Sequence, residues 1–405
     1  YRPTLYDLVL CDVLKFYIDY SNESNRLVAT VELSDDRLFC LSRDFVKLDV
    51  GNNIVDFKLK ALKLFQDVEE FHLRLGNEEA LVDYMLERFA FVRRNFDCVR
   101  RDSLYHNSLN MLRGSIIGVN SRSWLLYKLA VFYDELGERY NYGEGLEYRW
   151  YKKKAIYVCN ECIEMYGNSV EGGHNCGELL KKLKEKEISV KTEPVVSSGI
   201  YNKLLLGYRN LNRVRFYIVK MPFSYDYKEN EIYQYNDENI RDNIIDLIKR
   251  GNICNKWDEV LLDSNDFQSH RSEIRQPVLM KGCYYIISTD DDSLEIRNKI
   301  EEKKYVYSLS KFIVSDMEII KHKRGNSYNM YVLNRETGEG IKGAIVNIIY
   351  RKYGYNMSKV FDNVGDTLVS GKNGFIKFVP KVKELNFRIR VINNKEDTLY
   401  SDVVF

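Results

Sequence analysis

The chain has 405 residues, with 61 lysines and arginines against 59 aspartates and glutamates. Balanced charge removes the general electrostatic reason to expect a nucleic-acid or acidic-membrane partner, and no run approaches the roughly 18 apolar residues of a membrane-spanning helix. The length exceeds one ordinary core and implies two to four domains, while 31 tyrosines and only five prolines favour ordered packing over long linkers.

The first residue is Tyr1 rather than Met, and no charged segment followed by an apolar one opens the chain, which suggests an excised or processed piece. Residues 1–190 read as helical. Pro3 suits a helix start, and Leu5, Leu8, Val9, Val13, Leu14 and Tyr17 recur at helical spacing. Residues 27–33 suggest a short extended excursion. Helical spacing returns through Leu59, Leu62, Leu64, Phe65, Val68 and Phe71 and ends near Gly76; further helices are predicted over 78–96, 104–118, 121–136, 148–166 and 172–186, with Gly137 as a C-terminal stop. Small and aromatic residues around Trp124, Ala130, Tyr133 and Ala155 resemble tetratricopeptide-like stacking positions, without a clean 34-residue period.

Residues 187–199, with Pro194, form a linker or a strand entering a new domain, and beyond them the period becomes two. Leu204, Leu206 and Tyr208, then Val214, Phe216 and Ile218, predict a hairpin turning at 209–212. Residues 224–256 hold a polar stretch at 225–230 and a helix at 238–250 expected to cover one edge of a sheet. Strands are predicted at 257–262, 282–288 and 305–314, with a boundary at Ser315-Asp316. Two apolar runs at 329–350 flank the polar link 334–340 as an antiparallel hairpin, and Ser370-Gly-Lys-Asn-Gly374 is a second hairpin turn. Phe387, Ile389 and Val391 alternate with Arg388 and Arg390, which predicts one face on the core and one in water.

Candidate chemistry is sparse. Cys159-x-x-Cys162 with His174 and Cys176 has the residue types of a zinc site, but not its usual spacing, and buried inert cysteine is the commoner use. Eight cysteines in 405 residues fall far below the density of a disulfide scaffold. The five histidines form no His-x-x-x-His pair, and phosphate-loop, dinucleotide and nucleophile-elbow motifs are absent. Asp290-Asp-Asp292 reads as a solvated turn, and Lys152-Lys-Lys154 as a solvated helix face. No catalytic residue and no cofactor are expected.

Ser315-Asp316, the run from Tyr331 to Thr337-Gly338, Gly343-Ala-Ile-Val346 and Gly371-Lys-Asn-Gly374-Phe375 together resemble a macroglobulin-type domain of bacterial alpha-2-macroglobulin-like proteins. The likeness extends upstream through Gln268, Pro277 and Leu279 to Gly282, and to a helical region ahead of the sandwiches. It implies a multidomain α and β fold: a helical domain at 1–190, a β-sandwich at 191–316 with a helical insertion near 224–256, and a macroglobulin-type, immunoglobulin-like antiparallel β-sandwich at 317–405. It further implies a non-enzymatic N-terminal portion of a protease-entrapment protein of the bacterial envelope or periplasm. Its partners would be proteases and other envelope proteins, with any membrane anchoring outside these residues. The family's Cys-Gly-Glu-Gln thioester is not matched by Cys176-Gly-Glu-Leu179, because leucine has no amide with which to form it. The rival expectation is a surface adhesin or outer-membrane assembly module with a protein-binding helical domain and immunoglobulin-like spacers.

Overall fold

The computed structural model describes residues 2–23, 33–51, 56–141, 143–222, 237–262, 265–292, 305–353, 360–380, 387–394 and 397–403. The chain divides into two compact units, Tyr1–Glu185 with Asn265–Gln268, and Lys186–Ser264 with Ser269–Phe405.

The first unit is helical: α1 (Leu5–Glu23), α2 (Ser42–Phe45), α3 (Phe57–Leu75), α4 (Glu78–Asn95), α5 (Arg101–Ser115), α6 (Val119–Gly137), α7 (Tyr151–Tyr166) and α8 (Glu171–Lys184). The predicted extended stretch lies outside the described residues except for Leu33, which bridges to Phe96. Asp56 caps α3 by accepting hydrogen bonds from the Lys58 and Leu59 amides. Gly76, at φ 68°, closes α3 in the left-handed conformation, and Asn77 starts α4 by accepting from the Ala80 amide. Two adjacent residues thus stop one helix and begin the next, so that Leu62, Phe65 and Val68 of α3 share one core with Met85, Phe89 and Val92 of α4.

Two buried charges lie inside that core. Arg88 and Glu69 are both fully buried and joined at 2.7 Å. Arg88 also donates to the Leu38 and Cys40 carbonyls, its guanidinium lies 3.8 Å from the Phe45 ring centroid, and Ser42 donates to Glu69. The pair ties the segment around α2 to α3 and α4.

Glycines set the spacing of the last three helices of this unit. Helix α6 ends at Gly137, as the sequence suggested, but without a left-handed turn, since Glu138 follows it in right-handed conformation. A Cβ there would stand 2.6 Å from Lys152 Cγ, so close α6–α7 packing is what requires glycine. That contact also corrects the solvated reading of Lys152, which is buried and paired with Glu138 at 2.6 Å. At Gly172 a methyl would overlap the Ser123 backbone of α6. Gly172→Ala is therefore expected to cost the helical unit about 1–3 kcal/mol, read as a lower urea midpoint; an unchanged midpoint would mean α8 can move off α6.

The second unit contains two sandwiches. The first pairs a sheet of β1 (Glu187–Thr192), β3 (Asn202–Arg209) and β6 (His270–Gln276), in the order β1-β3-β6, with a five-stranded sheet. That larger sheet comprises β2 (Val195–Val196), β4 (Arg213–Met221), β5 (Asn252–Val260), β7 (Gly282–Thr289) and β8 (Tyr307–Val314) in the order β2-β8-β7-β4-β5. All pairings are antiparallel except β2 with β8. The expected hairpin at 209–212 is instead a crossing between sheets: β3 pairs with β1 and β6, and β4 pairs with β5 and β7. Leu204 and Leu206 then meet Val214, Phe216 and Ile218 across the interior. Period-two burial is identical whether strands lie side by side or face to face, so the pattern could not separate the two.

Helix α9 (Asp237–Arg250) lies on a face of this sandwich rather than along an edge. Ile244 and Leu247 pack on Tyr217, Val219, Tyr285 and Ile287, the outward residues of β4 and β7. The unbroken apolar run in β7 reflects burial on both faces. The polar stretch at 225–230 lies outside the described residues. The Asp290–Asp292 turn is not solvated throughout, because Asp291 is buried against the Tyr307 hydroxyl at 2.9 Å and Asp290 pairs with Lys186 at 2.7 Å.

The second sandwich sets β13 (Phe375–Phe378), β10 (Ser327–Asn334) and β9 (Met317–Arg324) against β12 (Val360–Val369), β11 (Ile345–Tyr353), β14 (Phe387–Asn394) and β15 (Asp397–Val403), each sheet in that order. Both predicted hairpins are again sheet crossings, from β10 to β11 and from β12 to β13. Strands β9 and β10 instead form a hairpin through Gly325, at φ 60°, and Asn326. Met330, Val332, Val346, Ile348, Ile376, Ile389 and Val391 fill the interior. On the other face of β14 the arginines are not simply in water: Arg388 is buried over the Tyr400 ring, 5.0 Å from its centroid, and Arg390 donates to Asn347 at 2.9 Å.

Candidate functional site

The set of three cysteines and one histidine is split by the fold. Cys159 and Cys162 lie one turn apart on α7, Cys176 lies on α8, and all three are fully buried. His174 is two residues before Cys176, which places it about 200° around the helix, and it is exposed. The thiols face one another and Cys162 donates to the Ser123 carbonyl at 3.5 Å. Hydrogen bonding to Cys176 and then burial push the Cys162 thiol far above its ordinary range, and bonding to Cys159 with burial pushes Cys176 up to about 12. Thiolate is the form that attacks and ligates, so at neutral pH this cluster packs. Among the described residues no group of three or more His, Cys, Asp or Glu side chains is placed to hold a metal ion.

A thiol-exchange test follows. In native protein at pH 8 Cys159, Cys162 and Cys176 are expected to resist an aromatic disulfide reagent while exposed Cys254 reacts. All become reactive in denaturant. Fast native reaction at Cys176 would show that burial does not protect the cluster.

The residues behind the family resemblance come together at one end of the second sandwich. Asn334 accepts from the Glu336 and Thr337 amides, and Gly338 turns at φ 72°. The link returns along β10, with the Asn334 amide on the Glu339 carbonyl and the Ile341 amide on the Val332 carbonyl. At Gly340 a Cβ would overlap the Asn373 backbone, and at Gly374, φ 72°, it would overlap the Val332 carbonyl. Ser370 locks the other side by accepting from the Ala344 amide and donating to the Ile341 carbonyl at 2.6 Å. Two sheet crossings interlock here, and the glycines are needed because backbone meets backbone.

Ser315 and Asp316 sit where the two sandwiches join. Ser315 is buried and donates to buried Asp397 at 2.6 Å. Asp316 accepts from the Ser198 amide and hydroxyl, and Lys281 bridges Asp316 at 2.8 Å and Asp397 at 3.0 Å. Ile313, Ile349 and Tyr400 form an apolar cluster drawn from both sandwiches. Sequence reading reached Ser315-Asp316 as a boundary but missed Lys281 and Asp397, which come from distant strands and carry no local signal.

Burial would raise the Asp316 carboxyl, but bonds from Lys281 and Ser198 overcome it and hold it below its ordinary 3.8. The bond to Asp316 likewise keeps the Lys281 ammonium above its ordinary 10.5. A depressed acid stabilises above its unfolded pKa and loses that contribution as pH falls through the folded one; a raised base stabilises below its unfolded pKa and loses it as pH rises. The junction should therefore hold between about pH 4 and pH 10.5 and weaken outside that window. Thermal melts across pH of the native protein and of Lys281→Met check this, and the variant should flatten the alkaline loss. Parallel curves would place the pH dependence elsewhere.

No protein-family model matches the chain, and no curated protein matches it. Among solved structures, it is similar to native alpha-2-macroglobulin from Escherichia coli spanning domains MG0-NIE-MG1, at 13% identity and a TM-score of 0.38, covering 54% of this chain and 64% of that one. It is similar to the Escherichia coli piece spanning NIE-MG1 at 12% identity and TM-score 0.37, covering 54% of this chain and 98% of that one. A mutant of Salmonella alpha-2-macroglobulin gives 12% identity and TM-score 0.33, with 54% of this chain and 12% of that one covered. The chain thus spans less than two thirds of the first of these structures and about an eighth of the Salmonella chain. Over about half its length it is similar, at low identity, to bacterial alpha-2-macroglobulin fragments.

Proposed function

We propose that these residues form a non-catalytic portion of an alpha-2-macroglobulin-like protease-entrapment protein of the bacterial envelope, acting as scaffold and interaction surface. The carrying observation is the interlocked corner at Thr337-Gly338, Gly340, Ala344 and Ser370 to Gly374. The segments that resemble the family are those whose backbones must touch for the sandwich to close, and their groups go into holding shape. The junction of Lys281, Asp316 and Asp397 supports the same reading, since a scaffold transmits position through stiff joints between modules. Division of the chain into a helical domain at 1–190 and sandwiches at 191–316 and 317–405 belongs to this reading, as do proteases as partners. Cys176 supplies no thioester in this reading, because Leu179 stands where glutamine is needed and Cys176 is a buried thiol in the middle of α8.

Entrapment blocks large substrates while leaving a protease's own site open. The protein as its host makes it, mixed with elastase, should abolish hydrolysis of casein and spare hydrolysis of a short peptide anilide. Equal loss of both, or loss of neither, would contradict the proposal.

A further inference from the structure

A cavity of about 430 Å³ opens between α4, α5 and α6, with Ala90, Tyr105, Val131 and Phe132 among its lining. Five cations line it and one carboxylate, Glu135. Two of the cations are neutralised locally. Arg93 pairs with Asp102 at 2.8 Å and with Glu135 at 2.5 Å, and Arg139 pairs with Asp102 at 2.6 Å. Arg93 is further fixed by the rings of Phe132 and Tyr105, whose centroids lie 4.7 and 5.1 Å from its guanidinium carbon. Arg94, Arg101 and Lys128 have no carboxylate at ion-pair distance among the described residues; Lys128 lies 4.5 Å from the Trp124 ring centroid instead.

Three uncompensated positive charges at one concave mouth repel each other, and a bound anion relieves that repulsion. One carboxylate would leave charge over. A phosphomonoester carries about −1.5 to −2 at neutral pH and three acceptor oxygens, which suits several guanidinium forks at once. The cavity lies within the volume range of small-molecule sites and exceeds what a bare phosphate fills. Glu135, in the same lining, has a carboxylate to accept from a sugar hydroxyl. We propose that the cavity between α4, α5 and α6 binds a phosphate-bearing ligand of about sugar-phosphate size, with Arg94, Arg101 and Lys128 holding the phosphate. The proposal is independent of the entrapment reading and uses none of the corner or junction residues that carry it.

Calorimetry on the intact protein uses inorganic pyrophosphate, glucose 6-phosphate and glucose, and co-sedimentation uses vesicles of phosphatidylglycerol in phosphatidylcholine. Arg94→Gln with Arg101→Gln should weaken binding roughly tenfold or more. Both side chains are exposed, so the double variant should melt like the native protein, and Lys63→Gln on α3 serves as the surface control. Binding of the soluble phosphates, lost in the double variant, identifies a free phosphoester; binding confined to vesicles and lost in the same variant identifies a lipid headgroup. Either supports the site. Absence of binding to every probe, binding unaltered by the double variant, or binding of polyglutamate in preference to the phosphates would overturn it.

Discussion

Glu69→Ala is expected to destabilise the helical unit by about 3–5 kcal/mol at neutral pH, the usual cost of leaving one member of a buried pair uncompensated. Arg88 would keep its charge inside the core with only the Leu38 and Cys40 carbonyls and aromatic faces around it. Adding Arg88→Met should recover part of the loss, because no charge is then stranded. Recovery should be incomplete, since the Leu38 and Cys40 carbonyls and the Ser42 hydroxyl lose their partners. Urea unfolding followed by far-ultraviolet circular dichroism measures all three proteins. A single-variant cost below about 1 kcal/mol, the range of an exposed pair, would mean that water reaches the site.

Gly374→Ala should have the largest effect in the second sandwich. Left-handed backbone costs a residue with a Cβ about 1–2 kcal/mol, and overlap with the Val332 carbonyl adds about 1–3 kcal/mol of packing strain. Two neighbours separate these contributions. Gly338 has the same φ of 72° with open space around its missing Cβ, so Gly338→Ala should show the conformational cost alone. At Gly371 the nearest atom is Phe375 O at 3.4 Å and φ is not left-handed, so Gly371→Ala should be nearly neutral. Thermal unfolding of the three variants should rank them Gly374, Gly338, Gly371 from most to least damaging. Equal effects at Gly374 and Gly338 would show that the corner is looser than the backbone contacts require.

Helices were legible because their signals are local. The Leu59 to Phe71 spacing and the stop at Gly76 place α3 and the start of α4 within a few residues. Strand positions were legible for the same reason, but strand partners were not. Leu204 to Ile218, 329–350 and 370–375 each suggested hairpins, and each proved to be a passage between facing sheets. Alternation reports which side chains are buried, and a sandwich buries the same side chains whichever neighbour a strand has. Arg88 and Glu69 did leave a trace: both occupy positions in an apolar stripe, three or four residues from Tyr84, Met85 and Val92 and from Phe65 and His72. A charge in such a stripe needs a buried partner. Lys281 and Asp397, 116 positions apart, left none, because their meeting depends on how two sandwiches join. Cys159, Cys162 and Cys176 were recognisable as a set, and only the helical phase of α8 removed His174 from it.

The entrapment reading is tested most directly by small-angle scattering of the protein as its host makes it, before and after limited digestion by a broad-specificity protease. The account predicts cleavage at one exposed segment outside the helical unit and both sandwiches, followed by a smaller radius of gyration with residues 1–405 uncut. Cleavage scattered through residues 1–405, or an unchanged radius after cutting, would contradict it.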